Sequence, residues 1–161
     1  MAKLLDSGVR REFPTGAVRD IQKGKGRCDL LPLAVCADLL KSHTLACIDM
    51  FMVTRDELEL FGAIESFQSE SKFPSLACVV LEAAHQFEDG AEKYGWRNWE
   101  KGLPIDAFMD SGVRHYLKWC DGQTDEPHDR AFIWNMLCAI WTMQNRGDIP
   151  LVETCDPVQT C

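Results

Sequence analysis

The sequence predicts an all-α fold, a bundle of about five helices, and three observations carry that expectation. Apolar residues recur at three- and four-residue spacing through most of 29–146. The breaks between these stretches hold Pro, Gly or a capping Ser or Thr. No segment reads as a convincing strand, and no internal repeat or low-complexity run intervenes. At 161 residues, with 46 % apolar and 26 % charged side chains, the chain fits a single globular domain. Its expected divisions are a basic, Gly-rich loop segment (1–28), a helical core (29–146) and a tail (147–161).

Residues 1–27 carry glycines at 8, 16, 24 and 26 and a proline at 14. Such a segment is either a disordered basic arm or a loop that offers N–H groups and cations to an anion. It is not a P-loop, because the Walker spacing and a preceding strand are absent. The spacing predicts a helix over 29–41 with Pro32 in its first turn. Residues 45–53 are apolar and fit either helix or strand. A helix over 54–68 is expected from Thr54 and Glu57, a capping box. Pro74 and Ser75 open a long helix that stops at Gly95, with Gly90 as its weak point. After a loop, GWRNWEKGLP, come a helix over 105–119 and a last one from Pro127 to about Asn145, capped by Asp125 or Glu126. That last helix is apolar on nearly every side, so it must lie centrally in the bundle or against a second subunit. A homo-oligomer is expected.

The net charge of −8 is unevenly spread. Residues 1–27 hold seven basic and three acidic residues, and the remainder is at −12. An acidic protein repels the backbone of long nucleic acids. A basic segment beside an acidic body suits a small phosphorylated ligand, with cations on the phosphates and acids on a metal. The eight cysteines include no C-x-x-C pair, and several lie within apolar helical patterns, so they read as reduced thiols. No apolar run reaches membrane-spanning length, and the first residues lack a signal-peptide core, which places the expected protein in the cytoplasm.

Polar residues interrupt these helices at informative places. His85, Glu88 and Glu92 share one helix face. They are either a solvated stripe or, flanked by Leu81, Ala84, Phe87 and Ala91, a partly buried one that needs a cation. Asp110 and Arg114 are an i,i+4 pair that reads equally as salt bridge or site. His115 lies off that stripe and fits a core histidine as well. Asp129 suits the first turn of its helix through the dipole, or a ligand role. Asn135, between Trp134 and Met136, costs stability unless its carboxamide is paired. Oxygen and imidazole groups among apolar helices are what a divalent cation needs.

Four blocks, SGVRREFPTGAVRDIQKGKGRCDLLP (7–32), HQFEDGAEKYGWRNWEKG (85–102), DSGVRHYLKW (110–119) and EPHDRAFIWNMLCAIWT (126–142), resemble the phage-borne dATP/dGTP diphosphohydrolases in the family's order. The resemblance implies a MazG-like all-α enzyme that splits a purine deoxynucleoside triphosphate into monophosphate and pyrophosphate with Mg²⁺, or Mn²⁺ in its place. It points to His85, Glu88, Asp110, His115, His128, Asp129 and Asn135. The MazG-like pattern of E-x-x-E and E-x-x-D is met literally only by Glu126-x-x-Asp129, with His85-x-x-Glu88 in the first pair's place. On this resemblance Glu88, Glu92, Asp110, Glu126 and Asp129 are the metal candidates, and Glu88, His85 and Asp129 the catalytic ones. Arg19, Lys25 and Arg27 would contact the triphosphate, with His115, His128 and Asn135 also on the substrate. Trp96, Asn98 or Trp99 would hold the base.

In the expected mechanism the metal neutralises phosphate charge while water, with His85 or a spare carboxylate as base, attacks the α-phosphorus. Two rival readings stand beside it. One is an HD-type phosphohydrolase built on His115, His128-Asp129 and Asp148, which favours a transition metal. The other is a non-enzymatic acidic interaction protein that imitates DNA by its charge.

Overall fold

The computed structural model describes residues 8–151. The described residues form six helices and one hairpin: α1 Leu33–Leu40, α2 His43–Thr54, α3 Leu58–Ser71, α4 Leu76–Tyr94, α5 Ile105–Cys120 and α6 His128–Asn145, with β1 Arg10–Glu12 paired to β2 Val18–Asp20. The all-α expectation holds, with one more helix than about five because the ambiguous 45–53 stretch belongs to α2. Ser42 caps α2 by accepting from Leu45 N, and Ser75 caps α4 by accepting from Cys78 N.

The expected capping box at Thr54 does not form. Thr54 is the last residue of α2, and its hydroxyl donates back to Met50 O (2.9 Å). The same hydroxyl accepts from Asp56 N (3.2 Å), so it closes the turn between the helices, short of the first turn of α3. Arg55 then turns the chain in the left-handed region (φ 58°), and α3 starts at Leu58, where Asp56 Oδ1 takes the first N–H. At α6 the N-cap position is Pro127, without a side-chain cap, in place of Asp125 or Glu126.

α6 runs through the centre, packed on α3, α4 and α5, and its burial on every side explains its near-continuous apolarity. Phe67 of α3 anchors the densest region, with ring centroids 4.7 Å from Phe132 and 4.9 Å from Trp119. Gly112 lets α5 and α6 close up: a Cβ there would lie 2.5 Å from Met136 Cε. No helix of the described residues is long and apolar enough to cross a membrane.

The main departure from expectation is the hairpin, where loop was expected. Phe13 and Ala17 at its turn are buried, and Phe13 N donates to Ala17 O (2.9 Å). The ribbon is fastened to the Asn98–Lys101 turn. Asn98 accepts from Val18 N (2.9 Å) and donates to Val18 O (2.8 Å), while Thr15 donates to Gly102 O (2.7 Å). A two-stranded ribbon is marginal alone, so these tertiary bonds make it possible. The first part of the tail is docked as well: Asp106 N and Ile105 N at the start of α5 donate to Leu151 O and Pro150 O. The rest of the expected tail, with Cys155 and Cys161, lies outside the described residues.

Candidate active site

The hairpin and α4, α5 and α6 enclose a cavity of about 560 Å³, inside the roughly 300–1,000 Å³ usual for small-molecule sites. Six cations line it, Arg11, Arg19, Lys25, Lys93, Arg114 and Lys118, against three carboxylates, Asp20, Asp110 and Glu126. Arg19 is held most deliberately. Its guanidinium donates to Ala107 O (3.0 Å) and Asn135 Oδ1 (2.9 Å), both neutral oxygens, and lies 5.5 Å from the ring centroids of Phe108 and Trp134. Burial lowers its pKa to about 10, which leaves it charged at neutral pH. A desolvated cation on neutral acceptors is a site prepared for an anion. Asn135 also donates to Ala131 O (2.7 Å), so its buried carboxamide is satisfied and fixes the arginine.

The carboxylates are largely engaged. Asp110 accepts from Arg114, from Gln22 Nε2 (2.8 Å) and from Cys28 N (2.7 Å). Burial opposes its ionisation, but the bonds from Arg114 and Gln22 outweigh that and hold it below its ordinary value. Arg114 continues to Gly26 O (3.1 Å), so this pair clamps the N-terminal segment onto α5. Asp20 accepts from Lys93 (2.7 Å) and Arg10 (2.9 Å).

At one end of the cavity His115 Nδ1 and His128 Nδ1 are 3.0 Å apart, and Glu126 Oε2 lies 3.9 Å from His115 Nδ1. Burial, then the neighbouring His128 and Arg114, push the pKa of His115 down to about 3. An imidazole so weakly basic is a poor proton acceptor at neutral pH but keeps its lone pair. Asp125 accepts from His128 Nε2 (2.8 Å) and from Lys118; these bonds hold it down to about 2.

The expected convergence of Glu88, Asp110 and Asp129 does not occur. On α4 the residues that reach the cavity are Gln86, Gly90, Lys93 and Tyr94, a stripe at i, i+4, i+7 and i+8. His85, Glu88 and Glu92 are turned outward: the side chains of His85 and Glu88 are 52 % and 73 % exposed, and Glu92 is exposed too. The apolar neighbours that argued for burial misled, since Leu81 and Ala84 are themselves exposed. Glu88 and Glu92 border a separate cavity of about 580 Å³ with Phe87, Trp96 and Trp99. Asp129 Oδ1 accepts from Arg130 N (2.8 Å) and is not on the cationic cavity's wall. Among the described residues the oxygen cage expected for Mg²⁺ is therefore not assembled. The residues beside the cavity that could ligate a metal together are His115, Glu126 and His128.

The remaining expected contacts divide in the same way. Lys25 lines the cavity, and burial lowers its pKa. Arg27 points away into a two-pronged pair with Asp29 (2.7 and 2.5 Å). Asn98 lines the cavity, but it spends its amide oxygen and one of its two N–H donors on holding Val18. Trp99 packs edge-on between Phe87 and Trp141, and Trp96 is 81 % exposed. The HD set is not assembled either, because Asp148 sits at the surface on Arg146 (2.6 Å). Sequence reasoning missed Gln86, Lys93, Trp134 and Lys118. Gln86 Oε1 and Trp134 Nε1 are buried with no partner among the described residues. The one advance signal was the 86–90–93 spacing, hidden because glutamine and lysine read as surface.

Residues 73–150 match the family model described as dATP/dGTP diphosphohydrolase, N-terminal. No curated protein and no solved structure matches the chain. The matched span covers α4, α5 and α6, and with them Gln86, Lys93, Arg114, the histidine pair and Asn135; the hairpin that delivers Arg19 precedes it. Over this span, a little under half of the chain, the protein is similar to the N-terminal part of the dATP/dGTP diphosphohydrolases.

Proposed function

We propose that the protein converts dATP or dGTP to the monophosphate and pyrophosphate in the cationic cavity. The observation that carries this reading is Arg19, a charged guanidinium desolvated on neutral acceptors among five other cations. A triphosphate brings three to four negative charges into such a cavity, and fixed cations there act more strongly than in water. Arg19, Lys25, Lys93 and Arg114 take the phosphate oxygens. As water attacks the α-phosphorus, its bond to the bridging oxygen breaks and pyrophosphate leaves; the cations offset the charge that moves onto it. Gln86 Oε1 accepts from the purine edge and Trp134 Nε1 donates to it, which supplies each of these buried atoms with the partner it lacks.

A requirement for Mg²⁺, with Mn²⁺ in its place, belongs to the same proposal and is tested by chelation and add-back. So does a homo-oligomer: Leu39, Val53, Leu58 and Leu81 are 67–79 % exposed, and light scattering on the purified protein decides it. The cytoplasm, where deoxynucleotides are made and used, is the proposed location.

The test is incubation with each common deoxynucleoside triphosphate and separation of the products. Monophosphate and pyrophosphate from dATP or dGTP are expected. Release of single phosphate or of intact triphosphate, or no turnover of either purine nucleotide, refutes the reading.

A further inference from the structure

We propose that His115, Glu126 and His128 form a binding site for a transition-metal ion of the zinc class at the edge of the cationic cavity. Their ligand atoms all lie within 4.8 Å of one another. The side chains are 16 %, 14 % and 1 % exposed, so an ion among them sheds most of its water. Two imidazoles and a carboxylate with one position left open are the donor set of a catalytic zinc site. Magnesium prefers oxygen ligands and holds its own water, so it is a poor fit here.

The hydrogen-bond chain gives an independent indication. The Asp125 carboxylate only accepts, so the 2.8 Å contact assigns the proton of His128 to Nε2 and leaves a lone pair on Nδ1. That lone pair faces the Nδ1 of His115 at 3.0 Å. Without metal, one proton on His115 Nδ1 bridges the two rings. A metal ion takes the place of that proton, which moves to His115 Nε2, so both Nδ1 atoms become ligands with no net proton release. Asp125 then stands behind His128 as the carboxylate that orients a metal-bound imidazole. His115 comes from α5, whereas Glu126 and His128 flank Pro127 at the entry to α6. An ion here therefore ties α5 to α6 beside the phosphate-binding cations. His115 and Glu126 line the cavity, which lets the open position be reached from it. Only the use of the ion on phosphate rests on the function proposed above; the site itself does not.

The full-length protein, stripped with a chelator, is titrated with Co²⁺ and then Zn²⁺ in the absence of nucleotide. The expected result is the intense visible absorption of four- or five-coordinate cobalt, saturating at one ion per chain, bleached by Zn²⁺ and untouched by excess Mg²⁺. Glu126→Gln and His115→Asn, each checked by circular dichroism, abolish that absorption. Asp125→Asn retains it with an affinity lower by about 10–100-fold. A spectrum that stays that of hydrated cobalt, displacement by Mg²⁺, or full absorption in folded His115→Asn overturns the site. Nucleotide hydrolysis is followed separately. Cobalt absorption without hydrolysis would sink the proposed reaction and leave the site, whereas hydrolysis without cobalt absorption would do the reverse.

Discussion

The two faces of α4 carry similar residue types and behave in opposite ways. Gln86, Gly90 and Lys93 turn inward to the cationic cavity, while His85, Glu88 and Glu92 turn outward. On the outer face Glu88 and His85 stand 3.9 Å apart in solvent, where such a pair contributes about 0–1 kcal/mol. On the inner face Lys93 is partly buried on Asp20, and the Gln86 oxygen is removed from water altogether. A rotation of roughly 100° about the helix axis, the angle between consecutive residues, separates a solvated surface from a binding wall. Charge alone does not mark a site; charge withdrawn from water does.

That contrast breaks most readily at Arg19. Arg19→Met should lower kcat/KM for dATP or dGTP by about 100- to 1000-fold, the scale of losing a preorganised charge donor. Steady-state kinetics measure this, with thermal unfolding to confirm that the ribbon still docks. Arg19→Lys keeps the charge but not the fork, and should recover only part of the loss.

The second test uses acid. His115 has a pKa depressed from 6.5 to about 3 in the folded state. Between those values the unfolded chain binds a proton that the folded one refuses, so stability is complete above pH 6.5 and falls as pH drops. The slope is about 1.4 kcal/mol per pH unit, roughly 2 kcal/mol lost at pH 5. The melting temperature of His115→Gln, followed from pH 7 to 5, should decline less steeply than that of the wild type. Parallel curves would show that His115 is not responsible.

The inner face is tested next by Gln86→Leu, which keeps the shape and removes the unpaired acceptor. It should cost about 3- to 10-fold in kcat/KM for the purine nucleotides, the worth of one hydrogen bond, with no loss of stability. The outer face gives the smallest effect. Glu88→Gln and Glu92→Gln should each change the rate by less than about 2-fold and stability by under about 0.5 kcal/mol. A large loss of rate in Glu88→Gln would return the metal to the outer stripe and undo the comparison.

The sequence was legible where one strong signal decided the outcome. Ser75 and Gly95 bounded α4, and the near-continuous apolarity of FIWNMLCAIWTM required α6 to lie centrally or against a second subunit, of which the fold shows the first. Asn135 was rightly flagged as needing a partner, which the structure supplies in Arg19 and Ala131. Competing signals defeated the reading elsewhere. Each strand of the hairpin has only three residues, too few to show an alternating pattern, and its stability comes from Asn98, some 80 positions away. The face of α4 was misjudged because Leu81 is exposed and Gln86 buried, against their usual habits. The histidine pair was brought together only by the HD-type reading, and the partners that reading supplied fail: Asp129 is off the cavity wall and Asp148 sits on Arg146.

The ribbon that carries Arg19 is fastened by Phe13 and Ala17 in the core and by polar bonds, through Asn98 on one side and through Gln22 and Cys28 to Asp110 on the other. Lifting it from the helices breaks these ties but leaves the helix–helix packing in place, so it costs less than unfolding the bundle. A nucleotide held by Arg19 would act as a rivet through both layers, and amide exchange at Val18 should slow when dGTP is added. Occupancy of the cavity and closure of its lid-like edge would then be one event, read out at a backbone hydrogen that never touches the substrate.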